Sequence, residues 1–270
     1  MRRLLLCLPM LLAAAPGLEA QGTRDQASLI INLFTGYAMG GSLWRVPDQP
    51  VIDDNFGEPL VDHFSISRRI RGNLIFGGRA IFFPGDNFGY FGEAFMLGLG
   101  YEDGCGIATP SGSERNRDVC ASINNNATPA SAVQVTAGVM YRVRANQLIS
   151  PYARLSVGGA LSSRSPIAMT GSFPSAASGG QLVDLDIYPA EGSNTQFHPA
   201  IGIGAGFTTQ IARGYQMRWE VRDNIIGIES VTGPTVLEGV DPPTGMKFRH
   251  RFSIEVGFDV VLERKRGRRY

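Results

Sequence analysis

Eight segments of this chain alternate apolar and polar residues over roughly ten positions or more, the length a tilted strand needs to cross a bilayer, and their connections are sorted by length. The segments lie near 27–39, 70–83, 90–102, 132–145, 151–163, 197–211, 215–229 and 247–262. Connections after the first, third, fifth and seventh are long: 40–69, 103–131, 164–196 and 230–246. Those after the second, fourth and sixth are short: PGDNFG at 84–89, NQLIS at 146–150 and ARG at 212–214. A sandwich with Greek-key crossings has no reason to gather every extended connection at one end. An up-and-down barrel inserted from one side of a membrane does. The expected fold is therefore all-β: an eight-stranded antiparallel up-and-down transmembrane β-barrel with its long loops outside the cell. The segment QLVDLDIYP at 181–189 also alternates. Read as a hairpin above the membrane it leaves eight strands, whereas read as spanning it gives ten. The Gly, Ser and Pro around it suggest a mobile loop.

Alternation alone does not separate a membrane barrel from a soluble lipocalin-like one, because apolar-in and apolar-out produce the same string. The polar face decides. Ile201, Ile203, Ala205 and Phe207 oppose Gly202, Gly204, Gly206 and Thr208, while Tyr215, Met217, Trp219 and Val221 oppose Gln216, Arg218, Glu220 and Arg222. Phe252, Ile254, Val256, Phe258, Val260 and Leu262 oppose Arg251, Ser253, Glu255, Gly257 and Asp259. Glycine and serine suit a crowded lumen better than a solvated exterior, so the polar face points inward. Tyr37, Phe82, Phe83, Tyr90, Phe91, Tyr101, Tyr141, Tyr215 and Trp219 gather towards strand ends, as interfacial aromatic girdles require.

The first twenty residues read as a secretory signal: Arg2 and Arg3, an apolar run from Leu4 to Ala15, then Leu18-Glu19-Ala20 ahead of Gln21. Residues 1–20 are thus a signal peptide, 21–262 the barrel domain and 263–270 a basic tail on the periplasmic side. Removing the signal leaves 23 basic and 23 acidic side chains, and a formally neutral chain. Lys247 and Lys265 are its only lysines, so arginine, the cation better suited to fixed, desolvated pairs, carries the positive charge. Cys105 and Cys120 remain as an even pair in an exported chain and read as a disulfide. Two thiols without a neighbouring histidine make a poor zinc site.

Export, eight strands, sorted loops and a charged inner face together resemble the OmpA-type and OmpX-type family of small outer-membrane β-barrels. The resemblance implies the outer membrane of a Gram-negative-type bacterium, with outer-membrane lipid and the insertion machinery as partners. It also implies an insertion signal in the last strand, matched here by Glu255, Gly257, Val260 and Leu262. Leu262 stands where that family ends on an aromatic, and the chain continues to Tyr270. The resemblance is to the barrel half of an OmpA-like protein, without an expected peptidoglycan-binding domain.

An eight-stranded barrel is just wide enough for side chains to fill. Arg79, Arg142, Arg144, Arg154, Arg218, Arg222 and Arg251 are expected to face inward with Glu220, Glu255, Asp259, Asn32 and Gln134. Buried charges persist when paired, so the first reading is a self-neutralising plug. The alternative is a narrow ion or small-solute channel in which one pair swaps partners. His63, His198 and His250 fall at the predicted outer strand ends as exposed rim residues, inviting comparison with omptin-like proteases and lipid-modifying barrels. Asp62 and His63, however, point to opposite faces of a strand. The expectation is a non-enzymatic protein with no catalytic residue, cofactor or metal, its long loops meeting an extracellular ligand. Export argues against nucleic acid as the partner of the basic tail. The tail is either simply solvated, or its Arg264, Lys265, Arg266, Arg268 and Arg269 attract the anionic inner leaflet, each worth about 1 kcal/mol there.

Overall fold

Period-two segments that are apolar on one side can bury that side or give it to lipid, and the computed structural model shows the second outcome. It describes residues 27–53, 59–109, 113–143, 147–189 and 196–263. The expected signal peptide, Arg144 and the tail beyond Glu263 lie outside them. In chain order the elements are β1 (Ser28–Ala38), β2 (Gly41–Asp53), β3 (Leu60–Ile70), β4 (Asn73–Phe83), β5 (Phe88–Gly98), β6 (Tyr101–Thr109), α1 (Glu114–Asn125) and β7 (Ala127–Thr128). There follow β8 (Ser131–Arg142), β9 (Ile149–Ser162), β10 (Met169–Ser175), β11 (Gln181–Tyr188), β12 (Gln196–Ala212), β13 (Tyr215–Val231) and β14 (Thr244–Glu263).

Eight of these close an antiparallel barrel in the order β1-β14-β13-β12-β9-β8-β5-β4. Closure comes from β1, whose Ser28 lies opposite Glu263 of β14 on one side and Phe83 of β4 on the other. The turn between β12 and β13 is reduced to Arg213-Gly214, and Gly214 adopts φ 82°, a conformation that favours glycine. Parity is kept along each wall. Leu33, Phe76, Tyr90, Val135, Val157, Ile203, Val221 and Ile254 are exposed, while their strand neighbours Asn32, Ile75, Phe91, Gln134, Ser156, Arg222 and Ser253 are buried. A surface this apolar around a polar interior is matched to hydrocarbon and inverts the arrangement of a water-soluble barrel.

Two aspects of the sequence reading are corrected. Phe83, Phe91 and Tyr101 do not join the aromatic girdle: they are buried, because adjacent Phe82-Phe83 and Tyr90-Phe91 cannot both face lipid. The long connections, read as loops, hold an ectodomain. Strands β2, β3, β6 and β7 form a four-stranded sheet, β10 and β11 a separate hairpin, and α1 sits between them. The 181–189 segment is thus one arm of a hairpin outside the barrel, which removes the ten-strand alternative and gives the expected mobile loop regular pairing. The β13–β14 hairpin also rises into this layer, its pairing continuing to Val231 opposite Thr244 beyond the level where Ala38 ends β1 opposite Ser253. Gln49 Nε2 donates to Thr235 Oγ1 at 2.8 Å and Trp44 Nε1 to the Pro166 carbonyl at 3.0 Å, tying β2 to two other connections.

The interior is layered. Ile30, Ile81, Phe83, Phe91, Met140 and Tyr152 form an apolar floor near the short-turn end. At the opposite end Phe34, Ile75, Phe95, Leu97 and Ala132 run without a break into the ectodomain core of Leu43, Trp44, Phe64, Ile66, Val119, Ile123, Ile187 and Tyr188. Between floor and lid lies a layer of charge.

Candidate functional site

That middle layer is built by charged residues of β4, β5, β9, β13 and β14 turned inward at nearly the same height, with β13 supplying two. Arg79 of β4 lies opposite Glu93 of β5, and Glu220 opposite Glu255 across β13 and β14. Gly204 of β12 lies opposite both Arg154 and Arg222. A Cβ on Gly204 would lie 3.2 Å from Arg154 Cγ and from Glu220 Oε1, so glycine leaves the room that the Arg154 stem and the Glu220 carboxylate use.

Three guanidiniums and three carboxylates interlock there. Arg79 donates to Glu93 at 2.9 Å and to Glu220 at 3.0 Å, with Glu255 3.6 Å away. Arg154 donates through Nη2 to Glu93 at 2.6 Å and through Nη1 to Glu220 at 3.1 Å. Arg222 donates to Glu255 at 2.7 Å, to Glu220 at 3.0 Å and to Glu93 at 3.2 Å. Neutral donors fill further lone pairs: Thr136 on Glu93 at 2.8 Å, Tyr152 on Glu220 at 2.7 Å and Ser253 on Glu255 at 3.1 Å. A second unit lies alongside, in which Arg218 Nη2 donates to Asp259 Oδ2 at 2.6 Å and Asn32 Nδ2 to Asp259 Oδ1 at 2.5 Å. Aromatic faces cover the cations, with Arg154 4.1 Å from the Phe91 ring centroid, Arg79 5.0 Å from Phe34 and Arg222 5.1 Å from Phe95. Planar guanidiniums alone can hold several carboxylates and stack on rings together.

The structure brings together Arg79, Arg154, Arg218, Arg222, Glu220, Glu255 and Asp259 of the expected set, and excludes two others. Arg142 is only half-buried near the short turns, where it donates to the Asp86 carbonyl at 2.6 Å and stacks on Phe83. Arg251 lies in the lumen but above the network, on no carboxylate. Glu93, absent from the expected set, is shared by the same three arginines as Glu220. Its strand is apolar on both faces, so parity did not expose it; its place opposite Arg79 across the short 84–87 turn was the available signal. Of the expected insertion signal, Glu255 and Gly257 turn into the lumen, where a Cβ on Gly257 would lie 2.5 Å from Asn32 Nδ2, and Leu262 is exposed on the wall.

The histidines are scattered. His63 and His250 are exposed and face Asp48 at 2.6 Å and Asp223 at 2.7 Å. Asp62 is buried on the opposite face of β3 and accepts from Asn116 Nδ2 at 2.8 Å. His198 is not a rim residue as expected: it is buried with its Nε2 3.0 Å from Ser162 Oγ, itself 3.1 Å from the Arg164 carbonyl. Among the described residues no group of three or more His, Cys, Asp or Glu could hold a metal.

Cys105 and Cys120 form the expected disulfide, clamping β6 to α1. Ser113 caps that helix by accepting from the Asn116 N–H. Burial pushes the Tyr188 phenol up, and its hydroxyl donates to Gln49 Oε1 at 2.9 Å. On the outer face of β2, β3 and β6, a shallow groove of about 570 Å³ is lined by Arg45, Arg69, Ser65, Ser67, Gly104 and Gly106. Replacing both cysteines by serine should weaken the ectodomain by about 3 kcal/mol, the value for a loop of this size, where the sequence separation is 15. Hydrogen exchange should show faster exchange across β6 and α1 with barrel amides unchanged.

No protein-family model matches the chain, and no curated protein does. Solved structures do. Neisserial surface protein A (NspA) is 13% identical over 87% of this chain and 99% of its own, with a TM-score of 0.40. The outer membrane protein AlkL, determined in lipid bilayers, is 11% identical over 95% and 100%, with a TM-score of 0.44. Ail of Yersinia pestis, in complex with the heparin analogue sucrose octasulfate, is 14% identical over 88% and 99%, with a TM-score of 0.35.

Proposed function

We propose that the chain is an outer-membrane β-barrel of a Gram-negative-type envelope, whose lumen is a structural plug and whose disulfide-clamped ectodomain makes contacts at the cell surface. One observation carries this reading: the interior is filled at every level, by an apolar floor, a charge layer with side chains at most 4% exposed, and a lid shared with the ectodomain core. A solute path needs polar groups that water can reach, whereas these groups are spent on one another. The groove beside Arg45 and Arg69 is the ectodomain face best suited to an extracellular ligand. The Ser162–His198 pair supports no enzymatic reading, since both residues are buried and the serine also reaches a backbone carbonyl.

Within the same proposal, residues 1–20 direct export, and the last strand carries its insertion signal on Glu255, Gly257, Val260 and Leu262. Residues 263–270 would be a basic tail on the periplasmic side. Planar-bilayer recording of the purified, refolded chain tests the plug, with no stable conductance steps as the expected result. Steps of large conductance would overturn it.

A further inference from the structure

Among the described residues, the buried charges of the lumen are Arg79, Arg154, Arg218, Arg222 and Arg251 against Glu93, Glu220, Glu255 and Asp259. The first four arginines engage all four acids, so positive charge is left over by one, and the surplus is Arg251. Its side chain crosses the barrel mouth to donate from Nη1 to the Gly98 carbonyl at 3.2 Å, and its Nε and Nη2 have no partner. Glu255 is four residues along the same strand, roughly 13 Å away at the strand rise, and is held by Arg222 and Ser253. The titratable groups near enough to act on Arg251 are two phenols, Tyr101 and Tyr37. Tyr101 is itself buried with no hydrogen-bond partner for its hydroxyl. Burial pushes that phenol up to about 12, against the pull of Arg68 and Arg251, so at neutral pH it remains an O–H donor.

We propose that Arg251 and Tyr101 hold a small inorganic anion, of the size of a halide, where the barrel meets the ectodomain. A buried guanidinium without a counter-charge is strongly unfavourable, and Arg251 and Tyr101 between them leave three donors unpartnered, two from Arg251 and one from Tyr101. A water molecule would satisfy donors but leave the charge. The exposures of Arg251 and Tyr101, 2% and 1%, restrict the occupant to a small ion. The neighbouring Arg68 does not compete, because Asp103 takes it in a two-point pair.

The test is thermal unfolding of the refolded full chain in neutral detergent, followed by circular dichroism, with chloride exchanged for gluconate at constant ionic strength. The expected result is a saturable rise in Tm, on the order of 5 °C at a hundredfold excess of chloride over its dissociation constant. That rise should be absent in Arg251→Met and reduced in Tyr101→Phe. A wild type indifferent to the anion, or an Arg251→Met variant with the same dependence, would overturn the proposal. If the variant does not fold, crystals grown in bromide decide: an anomalous peak beside Arg251 supports the site, and its absence removes it.

Discussion

Glu220→Ala should destabilise the barrel by about 3–5 kcal/mol, the usual cost of removing one partner from a buried ionic cluster. Glu220 accepts from Arg79, Arg154, Arg222 and Tyr152, so its loss strands four donor side chains at once, as many as the loss of Glu93 would. The cost is mostly that of the uncompensated charges left behind, which gives the prediction a second arm. Arg154→Met on a Glu220→Met background restores neutrality and should recover part of the loss. Urea unfolding in lipid vesicles, read as the fraction migrating in the folded form on an unboiled gel, measures both. A Glu220→Ala effect no larger than that of Ala at exposed Glu102 would mean that water reaches the layer and the plug is open.

The second large effect separates ectodomain from barrel. Arg68 donates through Nε and Nη2 to Asp103 at 2.6 and 2.7 Å, both side chains are 2% exposed, and the guanidinium lies between the Trp44 and Tyr101 rings at 5.6 and 5.2 Å. Asp103→Ala leaves that cation buried without its acid, again a loss of about 3–5 kcal/mol, but confined to the layer of β2, β3 and β6. In a Trp219→Phe background Trp44 is the only tryptophan. Its fluorescence should report ectodomain unfolding at lower urea than in the parent, with gel mobility of the barrel unchanged. Simultaneous loss of both signals would show that the two layers unfold as one.

The barrel was legible because lipid and lumen impose opposite demands on alternate residues, and the segments near 215–229 and 247–262 carry that pattern plainly. The ectodomain was not, because its strands break the same rule. β2 contains Pro47 and Pro50 and two register shifts, which read as loop; it is an edge strand of its sheet, where a missing N–H costs little. The helix ERNRDVCASINN is short and polar, and its place is set by one buried face and the disulfide. Arg251 shared the parity of the network residues, and only its height on the strand, above the acids, set it apart. Parity says which way a side chain points but carries no information on how far along the axis it sits.

That limit bears on how the barrel finds its alignment. Sliding β14 by two residues against β1 would keep every apolar side chain on the lipid side, so hydrophobicity cannot reject the slip. The ions can. Glu255 and Asp259 both arrive on β14, and before it docks Arg79, Arg154, Arg218 and Arg222 have only Glu93 and Glu220 to face. A two-residue offset would shift the incoming acids by about 7 Å, out of reach of the cations they neutralise. The charge layer thus acts as a vernier, reading the axial position of the closing strand to finer precision than the greasy wall allows.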